Sequence, residues 1–512
     1  MSSSSSLPGR TEGVEAPRPV RTLSRTAECG WLGFAFLLFF LQTLPYLSYR
    51  WVTDESWFSG TGYSIAQGHG IANPAFGSNY LVSRCDTHPP GTAMVIAAAF
   101  RLFGTSAVTA RLGSILAGVL IIFFTFRLAR DVIGEEGAIL ATLIVATDNI
   151  IVLTSRSARP EALTAMAVMA ALMAMNRYAR KGAMIWAFLC GLLIAMGTMF
   201  HVTVLGYIVT LGILAIVIDR RRGSFPLRGA IVYAVGYGLG LAPFAAWILT
   251  APLGRAGFRE EYLKRAAGSP IWSRLVQESH RYSDLLGFNM MHGHGLESIP
   301  VRLPIPLFIL ACSALLWKMR RRWFYLELLL LLPTALWLVY TPDKMSRYLA
   351  LIAPVFAWTI GAAVAASKDR RVHRILLLLS CVVIVAQMSA NFLLLRAARS
   401  ADYTKVAVEL HRLIPPDQTA YGTVTFWLAM HDHPYISYER TDPWMAARQF
   451  HVRYFIVGDR VMTNGLPGDE AFYVSLRHDL SEVIAQSRLV GSYPDAYYGD
   501  LKVYELAAPD TK

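Results

Sequence analysis

The chain has 512 residues, 54% of them hydrophobic and only 16% charged, and a formal net charge of +13. A soluble globular protein of this length would carry roughly a quarter charged residues, so that class is excluded. The basic residues lie in short clusters between apolar runs, which suits anchoring at a membrane surface and not a nucleic-acid groove.

Residues 1–27, rich in Ser, Pro and Arg, are expected to form a disordered cytoplasmic tail. They do not read as a cleavable signal peptide, since no small-residue cleavage site follows the first apolar run. Apolar runs at about 30–48, 107–126, 137–153, 161–176, 183–199, 201–218, 229–250, 303–317, 324–341, 347–366 and 375–395 predict eleven transmembrane helices. A shorter run, 91–103, decides the topology. If it does not cross, the clusters Arg127/Arg130, Arg177/Arg180/Lys181, Arg220–Arg222, Lys318/Arg320–Arg322 and Lys368/Arg370/Arg371/Arg374 all face the cytoplasm. The positive-inside rule selects that solution. The run then belongs to a large first external loop, 49–106, as a re-entrant or juxtamembrane helix; a second external loop covers about 251–302.

From about 397 onward the composition changes. A helix at Tyr403–Leu413, a stop at Pro415-Pro416-Asp417, and strand-like runs at 454–457 and 502–506 predict a small external α/β domain. The expected organisation is a tail (1–27), a transmembrane catalytic domain (28–396) and an extracytoplasmic domain (397–512). No internal repeat is visible, which weighs against a transporter.

Four unusual polar groups then fall at outer helix ends. They are Asp54-Glu55, the run 84–91 (Arg-Cys-Asp-Thr-His-Pro-Pro-Gly), the run 155–161 (Ser-Arg-Ser-Ala-Arg-Pro-Glu), and the run 343–348 (Asp-Lys-Met-Ser-Arg-Tyr). Carboxylates this near hydrocarbon are costly and point to function. Acid, imidazole and guanidinium groups gathered there suit a lipid-anchored anionic substrate.

Taken in order, Asp54-Glu55, His88-Pro89-Pro90-Gly91, Arg101-Leu102-Phe103-Gly104, Ala110-Arg111-Leu112, Ser155-Arg-x-x-Arg-Pro-Glu161 and Lys344-x-x-Arg-Tyr348 resemble the bacterial GT-C glycosyltransferases. The branch resembled is family 39, which contains protein O-mannosyltransferases and the aminoarabinose transferase of lipid A. The resemblance covers about 30–366 and is best over 54–161. It implies a GT-C fold and inverting transfer of one sugar from a polyprenyl-phosphate carrier to a hydroxyl of a lipid, glycan or protein, on the extracytoplasmic face of the plasma membrane. By resemblance Asp54 is the general base, with Glu55 as neighbour or substitute, and Glu161 stands where relatives carry a second acidic residue, often Asp. Lys344 and Arg347, followed by Arg159 and His88, would hold the phosphate. His88 departs from the lysine that some lipid A-modifying relatives carry there. No nucleotide-binding motif or cofactor is required by such a donor, and the need for a divalent metal is left open.

Plainer readings exist for each group. Lys344 and Arg347 are placed to snorkel at the interface, Arg159 and Glu161 to pair with each other, and His88-Pro89-Pro90 to start a helix. The His292/His294 and His431-Asp432-His433 pairs are weak metal signals, because no third and fourth ligand are near in sequence. The rival functions are a ligase using a lipid pyrophosphate donor and a transporter or flippase of lipid-linked sugars.

Overall fold

A computed structural model describes residues 24–49, 51–74, 89–250, 346–399, 401–439, 441–458, 470–495 and 497–507, with short stretches between 270 and 337. The helices up to the first gap in the bundle are α1 (Arg25–Thr43), α2 (Thr53–Ala66), α3 (Gly91–Phe103), α4 (Ala107–Ile133), α5 (Glu135–Thr147), α6 (Asn149–Ser155), α7 (Pro160–Lys181), α8 (Met184–Phe200), α9 (Leu205–Arg221) and α10 (Arg228–Thr250). Among the described residues the helices Leu328–Trp337, Ala353–Ala366 and Arg370–Ala398 follow. Among the described residues six helices are long and apolar enough to cross a membrane, or seven if the bent pair α5–α6 is one span. The chain is thus a polytopic α-helical membrane protein with a small C-terminal sheet. Of the expected span at 303–317 only residues 312 and 313 are described, and of that at 324–341 the apolar helix Leu328–Trp337 is.

Helix ends follow their sequence signals. Ser24, Ser106 and Asp369 cap α1, α4 and Arg370–Ala398 through side-chain oxygens that accept from free backbone N–H groups. Gly182, in the left-handed region at φ 72°, ends α7. Apolar side chains such as Leu37, Leu116 and Leu378 stay exposed on the outer faces, as lipid contact requires, while Phe39, Phe126, Val145, Val168 and Ile360 fill the bundle's core.

The run 137–153 is expected as one span; it is two helices bent by 54° at Asp148. The Asp148 carboxylate caps the second piece, accepting from the Ile150 and Ile151 N–H groups at 3.0 and 2.9 Å. The carbonyl of Thr147 accepts from Asn391 Nδ2 at 3.0 Å, and the same amide donates to Gln42 Oε1 at 2.8 Å. Polar side chains from α1 and Arg370–Ala398 thus satisfy the broken ladder, which is what allows a break among apolar helices. The bend carries the α6–α7 turn to the mouth of α2.

The C-terminal sheet has the strand order β2-β1-β3-β5-β4, from β1 (Ala420–Gly422), β2 (Tyr435–Ser437), β3 (Tyr454–Gly458), β4 (Ser487–Asp495) and β5 (Gly499–Leu506). β1 is parallel to β2 and β3; β5 is antiparallel to β3 and β4. The expected helix Tyr403–Leu413 is present, and the two expected strand runs fall in β3 and β5. The continuous apolar run 454–457 is explained by burial of both faces. Tyr454 and Ile456 join a cluster with Trp51, Phe58 and Tyr403, while Phe455 and Val457 pack with Ala446, Leu476 and Leu480 of the helices Pro443–Gln449 and Glu470–Ala485.

The sheet is docked on the segment that leads into α2. Tyr498 Oη accepts from the Trp51 N–H and donates to the Trp51 carbonyl, both at 2.8 Å. Trp51 stacks on Tyr403 with ring centroids 5.6 Å apart, and Thr53 Oγ1 lies 3.1 Å from Thr425 Oγ1. Tyr498→Phe would strand two buried backbone groups of Trp51, which costs about 1–3 kcal/mol. The expected outcome is a lower thermal unfolding midpoint for the detergent-purified protein; an unchanged midpoint would show that the docking does not depend on this hydroxyl.

Candidate active site

The two adjacent carboxylates at the start of α2 have opposite environments. Glu55 is the third residue of the helix, and its carboxylate reaches back to accept from the Val52 N–H at 3.2 Å, half of a capping box. It also accepts from Arg111 Nε and Nη2, each at 2.8 Å, and from the Ala158 N–H at 2.7 Å. Arg111, in the first turns of α4, turns its remaining nitrogen to the carbonyls of Tyr46, Leu47 and Tyr49 at 3.3, 2.8 and 2.7 Å. Both side chains are 1% exposed. A bidentate pair with every partner filled can hold charge away from water.

Asp54 turns the other way, with its side chain 48% exposed. Its Oδ2 is ion-paired with Arg159 Nη1 and lies 3.9 Å from Arg347 Nη1. Among the described residues Oδ1 makes no hydrogen bond. The other edge of Arg159 grips Glu161, with Nη2 at 2.8 Å and Nε at 3.1 Å from Oε1. Glu161 is 1% exposed, so Arg159 is held rigidly by a buried carboxylate and presents one nitrogen to Asp54. Local sequence explains the pose: Arg159 is the extended N-cap of α7, and Pro160 opens the helix. Arg347 opens the short 3-10 helix Ser346–Leu351, whose Tyr348 ring faces His201 at 5.0 Å between centroids. Arg347 and His201 both act on the charge of Glu161.

Of the sequence-derived candidates, Asp54, Glu55, Arg159, Glu161 and Arg347 therefore come together. Lys344 and His88 lie outside the described residues, as do His292 and His294. Pro89 and Pro90 are buried at the start of α3. A side chain on Gly91 would meet the Met199 carbonyl oxygen at 2.6 Å, so only glycine lets α3 seat against the end of α8. Arg101 donates to the carbonyls of Ala66 and Ile65, both at 3.0 Å, and so closes the end of α2. The pairing of Arg159 with Glu161 is observed, and Asp54 shares that arginine. Sequence reasoning placed Arg111 in an ordered motif but gave it no role, although a charge one turn into an apolar span was the available signal. It also missed His201, whose ring caps the turn at 202–204 by accepting from the Thr203 N–H at 3.2 Å.

The geometry can be set beside known proteins. Residues 87–249 match the family model described as dolichyl-phosphate-mannose-protein mannosyltransferase. Comparison of the sequence with curated proteins finds no match. Among solved structures the chain is similar to ArnT from Cupriavidus metallidurans bound to undecaprenyl phosphate, with TM-score 0.62, 13% identity, and 95% of this chain and 100% of that chain covered. It is also similar to the oligosaccharyltransferase AglB from Archaeoglobus fulgidus in complex with an inhibitory peptide and a dolichol-phosphate. There the TM-score is 0.51 and the identity 12%, with 96% of this chain and 75% of that one covered. The chain has the GT-C fold. Residues 87–249 are in addition similar to the mannosyltransferase family, and both findings agree with the class that the ordered motifs resemble.

The buried pair gives a double-mutant test. Arg111→Ala or Glu55→Ala alone leaves a buried charge unpartnered, which costs about 3–5 kcal/mol. The expected outcome of Arg111→Ala with Glu55→Ala is a loss smaller than the sum of the two, read by thermal unfolding in detergent. Additive losses would show that the two side chains act independently.

Proposed function

We propose that the protein transfers a monosaccharide from a polyprenyl-phosphate carrier to an acceptor hydroxyl, with Asp54 as general base. The observation that carries this reading is the contrast among the three carboxylates. Glu55 and Glu161 are 1% exposed and engaged by buried guanidinium groups, whereas Asp54 is half exposed with Oδ1 open. This contrast supports Asp54, of the three, as the group that takes a proton from a bound hydroxyl.

In the proposed reaction the acceptor oxygen attacks the anomeric carbon of the sugar as the bond to the phosphate oxygen breaks. The hydroxyl proton passes to Asp54 Oδ1, and the electron pair of the broken bond leaves with the polyprenyl phosphate. A single displacement from the opposite face inverts the anomeric centre. The leaving group is already a stable anion, so it needs cations and not an acid. Arg347 is 30% exposed and within reach of the Asp54 carboxylate, so it can exchange that partner for the donor phosphate. Lys344 and His88 are further phosphate ligands in this proposal. Glu161 acts through Arg159, which it orients, and Glu55 holds the loop.

The family description names a lipid-phosphate sugar donor, and the similar structures were solved with undecaprenyl phosphate or dolichol-phosphate bound. These support a lipid-linked donor here. The charge distribution supports a cytoplasmic N-terminus, with the site and C-terminal unit on the extracytoplasmic side of the plasma membrane. In this reading the C-terminal unit, 397–512, borders the site and helps select the lipid, glycan or protein acceptor.

The test is transfer of radiolabelled sugar from polyprenyl-phosphate donors in membranes containing wild type or Asp54→Asn at equal abundance. Loss of general-base catalysis lowers rate by about 10²–10⁴-fold, which is the expected result. Full transfer by the variant would remove Asp54 as the base. Movement of lipid-linked sugar across the bilayer without any glycosidic product would establish the transporter instead. A second expectation concerns Arg347→Ala: the apparent KM for the donor rises, with folding unchanged, and an unaltered KM would remove Arg347 from the phosphate site.

A further inference from the structure

A second cluster of ligand-type side chains lies in the C-terminal unit, away from the site described above. His411 Nε2 is 2.9 and 3.1 Å from the two Asp432 carboxylate oxygens, and His433 Nδ1 is 3.1 Å from Asp432 Oδ1. The three donor atoms lie within 4.8 Å of one another, with the two imidazole rings nearly perpendicular at 80°. His431, which the local sequence pattern had grouped with these residues, is not a member. Its Nδ1 faces the Leu428 carbonyl at 2.9 Å and its ring packs on Tyr63. The third member comes instead from the far end of the helix Tyr403–Leu413, 21 residues before Asp432.

The outward nitrogens face carbonyl groups. His411 Nδ1 is 2.8 Å from the Ala407 carbonyl oxygen, and His433 Nε2 is 3.4 Å from that of Ile414. A carbonyl only accepts, so each of these nitrogens holds a hydrogen. In the neutral rings the inward nitrogens are then bare, and two lone pairs face one carboxylate. Such a set of lone pairs is relieved either by protons on the rings, which turns the contacts into ion pairs, or by a metal cation between the three groups. Back-side hydrogen bonds to carbonyls are also the usual support of a metal-ligating histidine, fixing its tautomer and orientation.

We propose that His411, Asp432 and His433 bind a zinc ion that staples the helix Tyr403–Leu413 to the turn before β2. In a tetrahedral site with metal bonds of about 2.0–2.1 Å, neighbouring ligand atoms are about 3.3 Å apart, so the cluster needs to open only slightly. Two imidazoles and one carboxylate are a donor set that suits zinc. The side chain of His433 is 1% exposed and anchors the ion, while His411 and Asp432 are 37% and 53% exposed and leave the fourth position to water. One of the two stapled elements, the helix Tyr403–Leu413, reaches the loop of the first site. Tyr403 stacks on Trp51 and donates to the Thr425 carbonyl at 2.6 Å, and Thr425 meets Thr53 beside Asp54.

The test uses the full chain in detergent, stripped with EDTA and titrated with Zn²⁺ against a chromophoric chelator, as wild type, His411→Ala and Asp432→Asn. The expected result is one more tightly bound equivalent in wild type than in either variant. A Zn²⁺-dependent rise in thermal midpoint is expected in wild type alone. His411 and Asp432 stand at the surface, so the three proteins should share one midpoint in EDTA. Equal equivalents and equal midpoint shifts in all three would overturn the site. The wild type also tests it without any variant: failure to take up a saturable equivalent of Zn²⁺ would overturn it too.

Discussion

The buried Glu55–Arg111 pair is the interaction on which the rest of the arrangement depends. It ties three separate segments: the start of α2, the beginning of α4, and the turn that precedes α7. Glu55 reaches the Val52 and Ala158 N–H groups, while Arg111 gathers the carbonyls of Tyr46, Leu47 and Tyr49 at the end of the first span. Those carbonyls lie where the chain leaves the first helix; that of Tyr46 also accepts from the Tyr49 N–H at 2.9 Å. A single guanidinium satisfies them because it offers five donors in a fixed plane. The pair therefore fixes where Asp54 and Arg159 begin, one residue away on either side of the contact.

The docked sheet adds a second constraint on the same loop. Tyr498 holds the backbone of Trp51, and Thr425 meets Thr53 and Ser56. The residues just before and after Asp54 are thus gripped from both the bundle and the C-terminal unit. Asp54 itself is left with freedom only at its side chain. Preorganisation of this kind lets a charged group act without first reorganising its surroundings.

Much of this was legible in the residues. Apolar runs and basic clusters give the bundle because lipid allows few alternatives for twenty apolar residues. The apolar run at 454–457 and the Tyr403–Leu413 helix were readable for the same reason: burial imposes a period. The bend at Asp148 was not, since the side chains that stabilise it, Gln387 and Asn391, come from a helix more than two hundred residues away. Nor did adjacency separate Asp54 from Glu55. Only the distant Arg111 and Ala158 determine which carboxylate is buried. The His411 contribution was hidden likewise, since local spacing pointed to His431.

Arg159 shows how two carboxylates divide one arginine. Its Nε and Nη2 edge is committed to the buried Glu161, which cannot lose that partner without a large desolvation cost. The remaining Nη1 is what Asp54 receives. Arg347, by contrast, stands 3.9 Å from Asp54 with its side chain 30% exposed, and among the described residues it forms no ion pair with the buried Glu161. Two acids and two guanidinium groups balance in the free site. In the proposed reaction the cation that turns to meet an entering phosphodiester is Arg347, because Arg159 is already fixed by Glu161. In that proposal, movement of Arg347 toward the phosphate frees one side of the Asp54 carboxylate. In the proposed reaction, donor binding would then itself prepare the base.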